Sequence, residues 1–119
     1  FPTGCSSPSE QLFKDHEAEF SRYAGDVLTG AVPENADSSG YEVLSSLANV
    51  GVATASVRDG CVILNLKTLP PDPIEEFWYC PMGLRVLPPS MEAIKVSRHA
   101  TSSTIILLKK DWAFCRWGD

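Results

Sequence analysis

The sequence predicts an α+β fold: a two-layer sandwich in which one long N-terminal helix and short helices pack on an antiparallel sheet of four to five strands. The two clearest helical patterns lie in the first half of the chain, whereas short alternating or β-branched runs, with one short predicted helix among them, make up most of the second half. Helices that precede antiparallel strands are typical of α+β domains. With 119 residues and 44% hydrophobic composition, the chain is expected to form a single domain, 1–119.

The first predicted element is a helix over residues 8–29. Ser7 is a suitable N-cap, Pro8 suits the first helical position, and Glu10 completes a capping box. Gly30 is a suitable C-terminal stop. We expect one apolar face to pack on the strand 62–66, and this face is formed by Leu12, Phe13, Phe20, Tyr23, Ala24, Val27 and Leu28.

A second, shorter helix is predicted after a polar loop over 32–40. Ser39 and Glu42 form a second possible capping box, and the apolar residues that follow end near Gly51. This helix is expected to carry Tyr41, Val43, Leu44, Leu47 and Ala48.

The clearest β signal is a hairpin around Asp59-Gly60. This dipeptide lies between two β-type runs, 52–58 and 61–69, and both central positions of the favoured two-residue turn require positive φ. The second run is apolar on both faces where it begins at Cys61, which predicts a central strand.

The segment 70–89 is rich in proline and is predicted to hold a short helix. Asp72 is a suitable cap and Pro73 a suitable first residue for a helix over 74–79, which Pro81 stops. A brief strand over 84–87 is expected to follow.

The C-terminal region is predicted to be β. The runs 92–98 and 104–108 are expected to form a second hairpin, and 112–117 alternates as a last edge strand.

Charge and hydropathy exclude several classes of protein. The formal net charge is −5, which argues against a nucleic-acid backbone or an anionic membrane as the main partner. No run of about 18 apolar residues is present, so no membrane insertion is expected.

The four cysteines are Cys5, Cys61, Cys80 and Cys115. Their spacing does not match a zinc site, and no metal or other cofactor is expected. An even number in a short chain that begins at Phe1 rather than at a methionine predicts two disulfides and an oxidising compartment. The three possible pairings stay open.

The chain has no motif of a common enzyme class, and no catalytic residue is assigned. The alternative to a non-enzymatic function is a small secreted hydrolase that uses His16 or His99 as an acid–base group. His16 lies on the apolar side of the first helix and His99 precedes a polar turn, and both positions favour a structural or solvated role.

Aromatic residues are concentrated beside the prolines of the segment 70–89. Phe77, Trp78 and Tyr79 are consecutive, so on a short helix they point in three directions and at least one is expected to be exposed. Rigid aromatic and methionine surface is typical of protein-binding patches. The candidate binding residues are Trp78, Tyr79, Met82 and Leu84.

The sequence is therefore interpreted as a secreted or extracellular, disulfide-stabilised interaction domain that binds another, extracellular protein, as a ligand, inhibitor, decoy or receptor-binding module would. Two alternatives stay open, namely the small hydrolase and a fragment of a larger extracellular or viral surface protein.

Overall fold

The computed structural model describes residues 8–34, 40–67, 74–84 and 102–118. It confirms the α+β fold, with one long helix, one short helix and a five-stranded antiparallel sheet. The elements in chain order are α1 (Pro8–Thr29), α2 (Ser45–Asn49), β1 (Val52–Arg58), β2 (Cys61–Leu66), β3 (Ile74–Tyr79), β4 (Ser102–Lys109) and β5 (Trp112–Gly118).

Helix α1 has the predicted bounds and one local irregularity. His16 has non-helical backbone angles (φ −126°, ψ 21°), so the helix consists of two segments joined at a kink. Beyond its end, Gly30 adopts φ 83°, the left-handed conformation that commonly terminates helices. Its buried residues are those of the predicted apolar face except Leu12 and Leu28, namely Phe13, Phe20, Tyr23, Ala24 and Val27.

The sheet has the strand order β1-β2-β3-β5-β4, so β3 is its central strand. The β1–β2 turn is formed by Asp59 and Gly60 at φ 53° and 76°, as the hairpin signal predicted. Strand β2 lies between β1 and β3, which confirms that it is interior.

The two faces of the sheet carry different residues. The face toward α1 holds the main core, in which Phe77 packs on Phe13, Phe20 and Phe114. The opposite face holds a smaller buried cluster of Cys61, Ile63, Trp78, Cys80, Leu84, Ala113 and Cys115. Most of β2 is therefore buried, as are the middle residues of β3 and the first four residues of β5, which is expected for interior strands.

The helix predicted over 74–79 is wrong, because these residues form the central strand β3. Asp72 and Pro73 resemble a helix start, but a helix of six residues is marginal without tertiary support. β-branched and aromatic residues also fit a pleated, buried surface better than an exposed helix. Pairing with β2 on one side and β5 on the other decides the conformation.

The last strand is not at an edge, because β5 lies between β3 and β4. It forms a hairpin with β4 through Lys110 and Asp111. The edge strands of the described sheet are thus β1 and β4.

Helix α2 begins later than predicted. Tyr41 is not helical, and instead its N–H donates to the Ala55 carbonyl at 2.9 Å, beside the outer edge of β1. The predicted cap Ser39, the extension of β2 over 68–69 and the predicted strands over 85–87 and 92–98 lie outside the described residues. Leu84 itself lies in a bend.

Candidate functional site

The predicted binding residues separate into buried and exposed groups because they lie on a strand and the turn after it. Along β3, side chains alternate between the two faces, so Phe77 and Tyr79 point toward α1 and Trp78 points away from it. Trp78 is completely buried, whereas Tyr79 is partly buried and packs on Trp112 at 5.0 Å between ring centroids. Neither aromatic side chain offers a freely exposed surface.

Met82 is the predicted residue that lies fully in solvent, with a relative exposure of 100%. It occupies the middle of a turn between Cys80 and Leu84, both of which are buried. The Gly83 N–H donates to the Cys80 carbonyl at 2.8 Å, closing the turn. Gly83 has φ 95°, a conformation that glycine adopts without the steric cost of a side chain.

Both ends of this turn are attached to the neighbouring β4–β5 hairpin. The Cys80 N–H donates to the Asp111 carbonyl at 2.8 Å, and the Leu84 N–H donates to the Lys110 carbonyl at 2.9 Å. Cys80 is also joined to β2 through a disulfide to Cys61, with the two Cα atoms 4.4 Å apart. The backbone around Met82 is therefore held at both ends by covalent and hydrogen bonds.

Further exposed residues lie toward the same end of the sheet as Met82. Leu107, with 58% of its surface exposed, lies on the face that carries Trp78 and Leu84, because it pairs with Ala113. Arg58 pairs with Cys61 and so lies beside the disulfide. We give the name Met82 surface to five of the exposed residues at this end, Arg58, Pro81, Met82, Leu107 and Lys110; Asp59 and Gly60 of the β1–β2 turn and Lys109 are exposed there as well.

Sequence reasoning identified Met82 but missed Leu107, Arg58 and Lys110. Leu107 lies within the apolar run 105–108. The run alone does not show which of its four residues is exposed. The register of β4 against β5 determines the face of the sheet on which Leu107 lies. Because β4 is an edge strand, Leu107 stays in contact with solvent.

The cysteines are only partly paired. The disulfide Cys61–Cys80 confirms one of the expected bridges. Cys115 is a free and completely buried thiol, so the expectation that it forms a second bridge is not met in the structure. Cys5 lies outside the described residues.

Burial, followed by the negative charge of Glu76, raises the pKa of the Cys115 thiol. The thiol therefore stays protonated and unreactive.

A buried polar group lies on the face of the sheet that carries Trp78. Glu76 is buried, and its Oε1 accepts a hydrogen bond from the indole Nε1–H of Trp78 at 3.1 Å. It pairs with Asn65 on β2 and with Cys115 on β5. This hydrogen bond orients the Trp78 side chain, which belongs to the same buried cluster as Cys80 and Leu84 at the two ends of the turn.

The histidine-based alternative gains no support from the described residues. His16 Nδ1 lies 3.4 Å from Glu19 Oε1, and its ring packs edge-on against Phe20 of the same helix. These contacts explain its position at the boundary of the core. His99 lies outside the described residues, and the hydrolase stays an untested prediction.

Across the described ranges, no group of three or more histidine, cysteine or acidic side chains is arranged to hold a metal ion. Over the same residues, no helix combines the length and apolar character needed to cross a membrane.

We compared the chain with models of protein families, with curated proteins and with solved structures. None of the three comparisons gives a significant match.

Proposed function

We propose that this chain is a disulfide-stabilised domain that binds another protein through the Met82 surface, and that it works in an oxidising, extracellular compartment. The single observation that carries the proposal is the complete exposure of Met82 in a turn whose ends are fixed. The disulfide Cys61–Cys80 supports the compartment, because such bridges persist where thiols are not kept reduced.

The physical argument concerns the way in which the turn is held. Single exposed apolar side chains are common on protein surfaces, so exposure alone carries little information. Here the disulfide and three backbone hydrogen bonds restrain the residues on both sides of Met82. A rigid turn loses little conformational entropy on binding, so more of the free energy of burying the thioether remains as affinity.

The side chain itself is suited to the contact. Methionine is flexible and polarisable, and it adapts to irregular apolar pockets. Burying a side chain of this size contributes about 1.5–3 kcal/mol. Leu107 is a second exposed apolar residue, on the face of the sheet that carries Trp78, and charged residues lie in the adjoining turns, as in the polar rim of a binding surface.

The test is a selection of 12-residue peptides from a random phage-displayed library on the immobilised, oxidised domain. Each selected peptide is then measured against Met82→Ser and against Leu44→Ser. Leu44 is a matched control, because it is 51% exposed and precedes α2, at the other end of β1, and serine is favoured at its N-cap position.

We expect Met82→Ser to weaken the selected peptides about 10-fold or more, which corresponds to roughly 1.4 kcal/mol. Leu44→Ser should leave their affinity unchanged, and neither variant should unfold at a lower urea concentration than the wild type. The proposal would be contradicted if both variants lost peptide affinity equally, or if Met82→Ser left the affinity of the selected peptides unchanged.

A further inference from the structure

The sulfur atoms of the chain differ in their access to solvent. The chain has four cysteines and two methionines, and the described ranges contain Cys61, Cys80, Met82 and Cys115. The three cysteines are buried, with relative exposures of 4% or less, whereas Met82 is exposed completely. An oxidant in solution therefore reaches the thioether of Met82 far more readily than any other sulfur atom in the described part of the chain.

The chemical state of the cysteines increases this difference. Cys61 and Cys80 are already joined in a disulfide, so neither is a free thiol. Cys115 is free, but peroxides react with the thiolate form, and burial followed by the negative charge of Glu76 raises the pKa of this thiol. The thioether of Met82 carries no proton, so its reaction with an oxidant does not depend on a pKa.

The turn that carries Met82 tolerates a change of this side chain. The turn is closed by the Gly83 N–H, which donates to the Cys80 carbonyl, and is attached to the β4–β5 hairpin by the Leu84 N–H, which donates to the Lys110 carbonyl. These bonds involve backbone atoms and not the thioether. An oxygen atom added to the sulfur lies in solvent, so we expect the fold to be retained and the change to be confined to the exposed side chain.

We propose, on the basis of the protein-binding function above, that Met82 is the site of an oxidative switch: hydrogen peroxide converts it to methionine sulfoxide, and the oxidised domain releases its partner. A lone pair of the thioether sulfur attacks one peroxide oxygen and forms the S–O bond, while the O–O bond breaks and its electron pair leaves with the second oxygen. Proton transfer then gives the sulfoxide and one molecule of water. The sulfur loses two electrons and the peroxide gains them.

Oxidation changes the chemistry of the contact that Met82 offers. The sulfoxide is polar, and burying its oxygen in a pocket that accepts an apolar thioether costs free energy unless a hydrogen-bond donor is present there. Leu107, the second exposed apolar residue of the Met82 surface, has no sulfur and is not altered by peroxide. Methionine sulfoxide reductases restore the thioether, so the change is reversible.

The first measurement is the site and rate of oxidation by hydrogen peroxide, in the native domain and in the chain unfolded in 6 M guanidinium without reductant. Trypsin cleavage after Lys67, Arg85 and Lys95 separates the peptide of Met82 from that of Met91, which lies outside the described residues. We expect Met82 in the native domain to react within about 3-fold of its rate in the unfolded chain, as a fully exposed thioether should. A native rate lower by about 10-fold or more would overturn the proposal.

The second measurement is the affinity of the tightest library-selected peptide, by fluorescence anisotropy, before and after complete oxidation of Met82. Met82→Leu is the matched control, because it keeps an apolar side chain of similar volume and has no sulfur at this position. We expect oxidation to weaken binding to the wild type about 10-fold and to leave binding to Met82→Leu unchanged. Two methionine sulfoxide reductases, one for each epimer, should restore the affinity of the oxidised wild type, which tests the same point without a substitution.

Stability and affinity together decide the outcome. The oxidised wild type should unfold at the same urea concentration as the untreated domain, and a lower concentration would mean that oxidation acts on the fold, which overturns the switch. Unchanged peptide affinity after oxidation, or an equal loss in Met82→Leu, overturns the switch and leaves the protein-binding function standing. A library selection that yields no Met82-dependent peptide overturns the protein-binding function itself.

Discussion

The indole N–H of Trp78 donates a hydrogen bond to Oε1 of Glu76, two residues earlier on β3, with 3.1 Å between the heavy atoms. Residues i and i+2 share a face on a strand and not on a helix. This bond therefore depends on the β conformation of the segment, and it orients a tryptophan that packs in the same buried cluster as Cys80 and Leu84.

Removing the acceptor should destabilise the domain. Glu76→Leu leaves a buried indole N–H without a partner, so we expect the free energy of unfolding to fall by about 1–3 kcal/mol. Glu76→Gln retains an acceptor oxygen, so its free energy of unfolding should fall by less. Urea denaturation measures both, and a Glu76→Leu variant as stable as the wild type would show that the hydrogen bond has no stabilising role.

The packing of α1 on the sheet gives a second prediction. Phe20 is completely buried and contacts Phe13, Phe77 and Trp112. Phe20→Ala should lower the free energy of unfolding by about 3–5 kcal/mol, as other truncations of core phenylalanines do. The adjacent Ser21 is exposed, and Ser21→Ala should change stability by less than about 0.5 kcal/mol. A loss of less than about 1 kcal/mol for Phe20→Ala would mean that the helix does not pack here.

Prediction from sequence succeeded where local signals agree with the tertiary structure. The ends of β1 and of α1 follow from the Asp-Gly turn and from Gly30, both of which act over a few residues. The strand β3 could not be recognised in this way, because its pairing with β5 joins residues about 40 positions apart, as Glu75 and Arg116 illustrate. A proline-bounded segment with two glutamates resembles a helix until that pairing is known.

The candidate site was predictable only in part, for the same reason. Glu75 and Glu76 are adjacent and chemically identical, yet Glu76 is buried and Glu75 bonds Arg116 at 2.8 Å. Only the register of β3 against its neighbouring strands determines which of the two glutamates is buried. The exposure of Met82 rather than Trp78 likewise depends on where the strand ends and the turn begins.

The buried thiol predicts a specific pattern of alkylation. Cys115 is inaccessible and its pKa is raised, so iodoacetamide at pH 8 should leave it unmodified in the native, unreduced protein. The same reagent in 6 M guanidinium without reductant should modify it. Peptide mass mapping reads both results, and a disulfide-linked peptide that contains Cys115 would contradict the free thiol.

Tyr23 predicts a loss of stability at alkaline pH. Burial, followed by the negative charge of Glu42, raises the pKa of its hydroxyl from 10.0 to about 12, and this hydroxyl donates to the Glu42 carbonyl. The folded state therefore holds the proton more tightly than the unfolded state. The contribution of the protonated hydroxyl to the free energy of unfolding is complete below pH 10 and is lost as the pH rises to 12.

The comparison with Tyr23→Phe isolates this group from the other groups that titrate above pH 10. The variant lacks the hydroxyl, so the difference in melting temperature between wild type and variant should narrow from pH 9 to pH 12. A difference that stays constant over this range would contradict the raised pKa.

The measurement that tests the central claim most directly is a map of amide chemical-shift changes on addition of the tightest library-selected peptide to the ¹⁵N-labelled, oxidised domain. We expect the changes to be concentrated at Met82, Gly83, Leu107 and Lys110, with those of Arg58 beside them, and to be absent from the solvent-facing side of α1. The same titration on Met82→Ser should shift these amides only at much higher peptide concentration. Changes concentrated on α1, or spread evenly over the sheet, would contradict the assignment of binding to the Met82 surface.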